Sequence, residues 1–504
     1  MIYNVTDYLE RSAGRIPERI AVRDAKGEYT WAQLRERSRR TATALIKAGA
    51  RRGVAVYAEK SSETLCVFLG AAYAGLFYSL MNPELPENRL RDAIKVLNTE
   101  TVVTDAAHAE QCKSIFPDCR IYLADDLVSG EPDDFLLSAA RSRHIDTDPL
   151  YINFTSGSTG VPKGIAVSHR SVIDFIECFT DIFVITGDDV IANQAPFDFD
   201  VSVKDIYSAL KTGATLVLVP RELFSKPTEL LDCLCDNKVT TMIWAVSAIC
   251  LISTFHGLDY RVPESVNKVL FSGEVLPYKH YMTWKSHLPD AMFVNLYGPT
   301  EITCNCTYHI LENDRDYSGG IPIGRPFPNE DVFLLDGDDR LVTEPDTVGE
   351  ICVRGTATAL GYYRNAEQTA KHFVQNPLNS DYPETVYRTG DLARYNEKGE
   401  LVFSGRKDFQ IKYMGHRIEL EEIERAMNLI DGVERSCCVF DEKRSRLKGF
   451  YVGIIEKDAL AEKMRGTLPA FMVPGIIRKV DEIPLTKNGK TDRRLLDEMW
   501  GGRR

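Results

Sequence analysis

Short apolar runs alternate with amphipathic stretches through the first part of the chain. VAVYAE (54–59), ATLVLVP (214–220) and TTMIWAV (240–246) have the length and apolar density of buried strands. SVIDFIECF (171–179) and ELLDCLCDN (229–237) have the spacing of helices with one apolar face. Strands alternating with helices predict an α/β fold with layered, largely parallel sheets. From about residue 320 the texture changes to short β-like segments split by Gly, Pro, Asn and Asp, as in PNEDVFLLDGDDRLV and GELVFSGRKD, which predicts a β-rich subdomain. Beyond Arg406 the chain becomes charged and helix-prone, with LEEIERAM followed by VERSCCVF. That pattern predicts a compact α+β unit of about 95 residues. The expected organisation is a large N-terminal domain, 1–407, and a small mobile C-terminal domain, 408–504, with a hinge near Asp408. No internal repeat or low-complexity linker is visible, and the terminal WGGRR reads as a frayed end.

One segment could imitate a membrane span, because no charged residue occurs from Leu65 to Met81. It sits at the short edge of what crosses a bilayer and lacks a basic flank, so the expectation is a buried core helix. Composition supports this: 44% hydrophobic and 27% charged residues is the balance of an ordinary globular protein, which excludes disorder as the main state. The formal charge of −12 argues against general nucleic-acid binding or stable membrane association, so an anionic ligand must be held by a local site. Twelve cysteines are scattered without scaffold spacing, and Cys233/Cys235, Cys304/Cys306 and Cys437/Cys438 lack C-x-x-C spacing with nearby histidines. They read as reduced core thiols of a cytoplasmic protein. The charged N-terminus has no apolar stretch of signal-peptide type.

The strongest chemical signal is TSGSTGVPKG, from Thr155 to Gly164, lying between the strand-like YINF and IAVSH. Glycines and hydroxyls here (Thr155, Ser156, Gly157, Ser158, Thr159) offer backbone N–H and side-chain O–H groups to phosphate oxygens, and Lys163 adds positive charge. It is not the G-x-x-x-x-G-K-[ST] loop, since Lys163 follows a proline and precedes Gly164, so a GTPase or kinase-type ATPase is not implied.

TSGSTGVPKG, NLYGPTE (295–301), YRTGDLARY (387–395), GRKDFQIKYMGHRIELEEIE (405–424) and PLTKNGKTDRR (484–494) occur in the order and approximate spacing of the adenylate-forming superfamily. The likeness spans essentially the whole chain, with GEICVRGTATALGYYRN (349–365) and LPAFMVP (468–474) as further shared blocks. Within the superfamily the chain resembles nonribosomal peptide synthetase adenylation domains and, above all, stand-alone D-alanine:carrier-protein ligases. The resemblance implies a two-step reaction: a carboxylate attacks the α-phosphate of ATP to give an aminoacyl adenylate and pyrophosphate, then a phosphopantetheine thiol takes the acyl group. Charge gathers around the α-phosphate in the first step, so placed cations matter more than a general base.

By that likeness Lys490 is the catalytic cation, reaching both the substrate carboxylate and the phosphate. Glu301 matches the glutamate that holds Mg²⁺, a hard ion suited to carboxylate and phosphate oxygens. Asn295 would face the adenine edge, Tyr297 would stack on its plane and Thr300 would contact the α-phosphate, with Leu296, Gly298 and Pro299 completing the ATP-binding segment. Asp391 would accept hydrogen bonds from the ribose hydroxyls, and Arg406 would bind ribose or phosphate. Asp408 aligns with the family's hinge, about which the loop at Gly415 would replace Lys490 for thioester formation and help form the pantetheine tunnel.

Asp200, in PFDFDVSVKD, matches the aspartate that pairs with the α-ammonium of amino-acid substrates; the alternative is that Asp198 does this while Asp200 caps a helix. The remaining pocket positions carry over as Val201, Lys204, Trp244, Leu270, Ser272, Leu296, Cys304 and Asn305, closed by Lys490. The set implies a small cavity of the serine, alanine or cysteine kind. Ser272 departs from D-alanine ligases, which place a cysteine there, so the enantiomer stays open. Lys204 either snorkels to solvent or pairs with an acidic group, hydroxyl or phosphate on the substrate. The chain stops soon after the NGK motif, so the expected partner is a phosphopantetheinylated carrier protein in trans. An acyl-CoA synthetase using free CoA would have no need of an ammonium partner such as Asp200. A nucleotide-binding sensor would be expected to lack Lys490 or Glu301, and both are present.

Overall fold

A computed structural model describes residues 2–156, 162–441, 444–485 and 491–500. Gly157, Ser158, Thr159, Lys490 and the terminal Gly501 to Arg504 therefore lie outside the described residues. The chain divides into two compact units: Met1–Asn82, Val96–Asn153 and Gly164–Lys407 form the first, and Pro83–Lys95, Phe154–Lys163 and Asp408–Arg504 the second.

Two large sheets carry the α/β layers. The nine-stranded sheet has a parallel centre made of Thr215–Leu218, Val190–Asn193, Thr241–Ala245, Lys268–Ser272 and Met292–Tyr297. The seven-stranded sheet pairs Gly53–Tyr57 in parallel with Phe77–Leu80 on one side and Thr101–Thr104 on the other. Helix starts follow local capping chemistry. Thr30 and Gln33 form a reciprocal capping box on Trp31–Lys47, and Ser168 accepts from Ser171 N to start His169–Ile182. Gly213, at φ 85°, ends the helix Val201–Thr212, because a left-handed residue there closes the last turn without a Cβ clash.

The uncharged stretch from Leu65 to Met81 is buried, as expected, but it is not one helix. Ser62–Tyr73 is helical, Gly75 turns the chain at φ 71°, and Phe77–Leu80 runs as a fully buried strand. A segment buried on all sides shows no periodicity, so helix and strand look alike in sequence. Among the described residues no helix is long and apolar enough to cross a membrane.

The β-rich region forms a six-stranded sheet in which Glu330–Leu335, Gly349–Gly355 and Thr385–Tyr395 pair antiparallel, and Leu401–Arg406 pairs with Thr385–Tyr395. In the second unit, Gln410–Tyr413 and His416–Glu419 form a hairpin whose two turn residues, Met414 and Gly415, both have positive φ, at 53° and 82°. Two left-handed residues match the twist of the flanking strands. Val433–Asp441, Arg446–Gly453 and Ile476–Lys479 make a three-stranded sheet. The helix Leu420–Asn428 contributes Leu420, Ile423 and Met427 to the same core as Leu447, Tyr451 and Leu460. Arg493 pins the last helix by donating to both Glu424 oxygens at 2.7 and 2.8 Å, with its guanidinium 3.8 Å from the Phe409 ring centre. All twelve cysteines are free thiols.

Candidate active site

The three central strands end level with one another: Ala245 pairs with Ser272, and Ser272 with Leu296. The carboxyl ends of parallel strands are where open α/β sheets bind ligands, because the connecting loops leave a crevice there. The segment after Met292–Tyr297 is built for close approach. A Cβ on Gly298 would fall 2.4 Å from Asn305 Cα, so only glycine fits. Thr303 and Cys304 both adopt left-handed φ, 43° and 79°, a conformation that costs non-glycine residues free energy. Tertiary hydrogen bonds hold it: Thr303 Oγ1 donates to Ala357 O at 2.6 Å, and Cys304 Sγ–H donates to Asp200 O at 3.0 Å. This strained turn delivers Asn305 to the site, and nothing in the residue types announced it.

A polar triad brings Tyr297, Asp391 and Arg406 together. Asp391 and Arg406 face each other across paired strands, and Arg406 Nη1 donates to Asp391 Oδ1. Tyr297 O–H donates to Asp391 Oδ2 at 2.5 Å. Burial pushes the Tyr297 phenol well above its ordinary value, so it remains a donor at neutral pH. Each carboxylate oxygen keeps a second lone pair, which is what a ribose diol needs. Asn295 donates to Pro322 O at 2.8 Å. Thr300 and Glu301 lie in the short 3-10 turn Thr300–Ile302 after Pro299. Glu301 is buried, and its Oε1 accepts from Tyr362 O–H at 2.7 Å. Tyr362 was missed in sequence, being far from Glu301 along the chain, although GYYRN was visible as a block.

A second group gathers Asp200, Val201, Lys204, Ser272, Cys304 and Asn305. Asp200 stands at the N-terminus of Val201–Thr212, but its side chain makes no capping bond, so the helix-cap alternative does not account for it. Asp198 instead accepts from Asn82 Nδ2 at 3.2 Å, and burial raises its carboxyl above the usual range. Lys204 does not snorkel: it is 0% exposed, and Nζ donates to Asn305 Oδ1 at 2.7 Å and Ser272 Oγ at 3.3 Å. Helix burial is a tertiary property, which is why the solvent-exposed alternative survived at the level of sequence. Leu270 and Leu296 share the adjoining core.

Trp244 is not brought to this group. It pairs with Phe271, packs with Phe224 at 5.4 Å between ring centres, and donates from Nε1 to Ala192 O at 2.8 Å, within a different core cluster from Leu270 and Leu296. Thr155 closes the strand Pro149–Thr155 and Lys163 opens the neighbouring strand Lys163–Ser168, the two flanks of the glycine-rich segment. Ser156 Oγ donates to Arg417 O at 2.7 Å within the second unit, and Asp408 is exposed, its Oδ1 accepting from Gln410 N at 3.2 Å. Among the described residues, no three His, Cys, Asp or Glu side chains cluster as a metal site.

Parallel strands ending level at Ala245, Ser272 and Leu296, a Tyr–Asp–Arg triad and a buried glutamate beside the YGPT turn agree with family membership: residues 9–363 match the AMP-binding enzyme family, and residues 422–490 match the AMP-binding enzyme C-terminal domain. The chain belongs to this family of adenylate-forming, ATP-using enzymes. Bacitracin synthase 1 of Bacillus licheniformis is 32% identical over 98% of this chain, which spans only 9% of that relative's length. Zwittermicin A synthase ZmaJ of Bacillus cereus is 32% identical, with 97% of this chain and 93% of the relative covered. The solved structure of holo-PA1221, an NRPS protein containing adenylation and PCP domains, superposes with a TM-score of 0.83 at 25% identity, covering 99% of this chain and 84% of that one.

Proposed function

We propose that this chain activates a small amino acid as its aminoacyl adenylate and passes the acyl group to the phosphopantetheine thiol of a carrier protein supplied in trans. The observation that carries the reading is Asp200, a carboxylate at the head of Val201–Thr212 that is not used to cap the helix and whose backbone is tied to the strained turn through Cys304. An acid lacking an amine would have no use for that carboxylate. Asp391 and Arg406, oriented by each other and by Tyr297, bind the ribose, while Thr300 and the glycine-rich motif from Thr155 to Lys163 are assigned to the phosphates on their sequence. Lys490 neutralises charge at the carboxylate and α-phosphate.

Glu301 is a suitable ligand for Mg²⁺, since a buried carboxylate oriented by the Tyr362 hydroxyl is a hard donor with a fixed direction. When bound, the ion supplies countercharge to phosphate oxygens. We assign residues 1–407 to the nucleotide and amino-acid domain and 408–504 to a small domain that turns about Asp408, exchanging Lys490 for the Gly415 hairpin between the two half-reactions. Free thiols throughout suit a reducing, cytoplasmic setting. The names of the relatives favour peptide natural-product assembly over cell-envelope alanylation, and Ser272 separates the chain from the D-alanine ligases.

Loading tests the transfer step. Radiolabelled amino acid, ATP and a phosphopantetheinylated carrier should yield label bound to the carrier as a thioester cleaved by hydroxylamine. Efficient transfer to free CoA with none to any carrier would replace this reading with an acyl-CoA synthetase.

A further inference from the structure

Residues 193–200 run from the end of the strand Val190–Asn193 to the head of the helix Val201–Thr212, so they decide where Asp200 stands. Contacts from the layer of the seven-stranded sheet hold this stretch along its length. Lys60, in the loop after Gly53–Tyr57, donates from Nζ to Asn193 O and Gln194 O at 3.2 Å each. Phe68, on the helix Ser62–Tyr73 that follows the same loop, packs against Phe197 with ring centres 5.6 Å apart. Asn82 donates to Asp198 Oδ2 at 3.2 Å. Of Lys60, Phe68 and Asn82 only Lys60 is a cation, and it acts where the stretch leaves its strand.

From that point the constraint spreads in two directions. Asn193 Nδ2 donates to Asp205 Oδ2 at 2.6 Å, which ties the strand end to the helix that Asp200 heads. Gln194 Oε1 accepts from Ala245 N at 3.3 Å, where the strand Thr241–Ala245 ends level with Ser272. An ammonium facing two carbonyls makes charge-assisted bonds, which hold a backbone more firmly than neutral ones. An uncharged side chain of similar length would fill the same space at a lower desolvation cost, so the bonds rather than the packing are the reason for a lysine here.

We propose that Lys60 is a positioning residue for amino-acid binding: by holding the Asn193 and Gln194 carbonyls it fixes the end of Val190–Asn193 and, through the Asn193–Asp205 bond, the helix headed by Asp200. This assignment rests on the amino-acid-activating reading. Lys60 acts on the substrate through Asp200, so its loss weakens amino-acid binding and spares the chemical step. The contact is also sensitive to pH. Burial lowers the Lys60 ammonium to about 8, against the pull of Asp205 and Glu222. Burial raises the Asp205 carboxyl, which Asn193, Lys204 and Lys60 oppose, so these groups titrate together. Glu59, next to Lys60 in the chain, is exposed and faces His108 at 3.9 Å. As pH rises through about 8 the ammonium loses charge and its hold on the carbonyls slackens.

The test measures KM and kcat in ATP:pyrophosphate exchange for the wild-type chain, Lys60→Met and Lys60→Arg, with the amino acid that the wild-type chain uses best. Lys60→Met should raise KM for the amino acid by about tenfold or more, while KM for ATP and kcat stay within about threefold. Lys60→Arg, which keeps the cation, should recover most of that loss. Between about pH 7 and about pH 9 the wild-type KM should climb above that of Lys60→Arg, because arginine stays charged throughout. The substrate's own ammonium titrates alike in both chains, so the difference belongs to Lys60. An unchanged KM for the amino acid in Lys60→Met would overturn the inference. Equal losses in Lys60→Met and Lys60→Arg, or a rise in KM for ATP as large as that for the amino acid, would also overturn it and make Lys60 a general brace of the fold. If Lys60→Met does not fold, the pH comparison of the wild-type chain with Lys60→Arg decides, and parallel profiles overturn the inference. Exchange only with acids lacking an amine would instead overturn the amino-acid-activating reading, and this assignment with it.

Discussion

Replacing Lys490 with alanine is expected to lower adenylation by about a hundredfold or more, read as the rate of amino-acid-dependent ATP:pyrophosphate exchange. The reason is electrostatic. As the substrate carboxylate attacks, negative charge that was spread over two anions gathers around one phosphorus, and a cation placed against both stabilises the transition state more than the separated reactants. The loss should therefore fall mainly on kcat. Thioester formation from a pre-formed adenylate should fall much less, since in the proposed second state the Gly415 hairpin replaces the Lys490 segment. Lys490 comes from the NGK motif, among a basic set that includes Lys487, Arg493 and Arg494. Of these, Arg493 is already committed to Glu424 in the fold. An unchanged exchange rate in Lys490→Ala would remove the catalytic assignment.

Asp200→Ala is expected to raise KM for the amino acid by about a hundredfold while leaving KM for ATP near its starting value, because a charge-assisted contact made equally in the ground and transition states affects binding rather than turnover. Asp200 sits at a helix N-terminus without capping it, so truncation removes no helix cap. Asp198 provides the comparison. Its Oδ2 accepts from Asn82, its Oδ1 is buried without a hydrogen-bond partner among the described residues, and its raised carboxyl makes it the poorer anion. A larger rise in KM from Asp198→Ala than from Asp200→Ala would move the ammonium contact to Asp198.

The alternation of strands and helices, the β-rich region and the C-terminal α+β unit were all readable from local pattern, because amphipathic periodicity records which side of an element is buried. It failed where burial is complete. Phe77–Leu80 is buried at every position, so only the left-handed turn at Gly75 reveals that a helix has given way to a strand. In the candidate site, motif order pointed to Tyr297, Asp391 and Arg406, and the structure brings the three together through a cross-strand pair and a buried phenol. Partnerships between distant segments were invisible: Tyr362 with Glu301, the Thr303–Cys304 turn with Asp200 and Ala357, and the depth of Lys204. Trp244 shows the reverse case. A pocket position carried over by likeness is occupied by a side chain that the sheet directs into the core beside Phe224.

ATP:pyrophosphate exchange with the twenty common amino acids, D-alanine and O-phosphoserine, set against acetate and fatty acids, tests the central claim most directly. The account predicts strong exchange with one small amino acid and background rates with every acid that lacks an α-amine. Exchange supported only by simple carboxylic acids would contradict it and remove the ammonium-binding role given to Asp200.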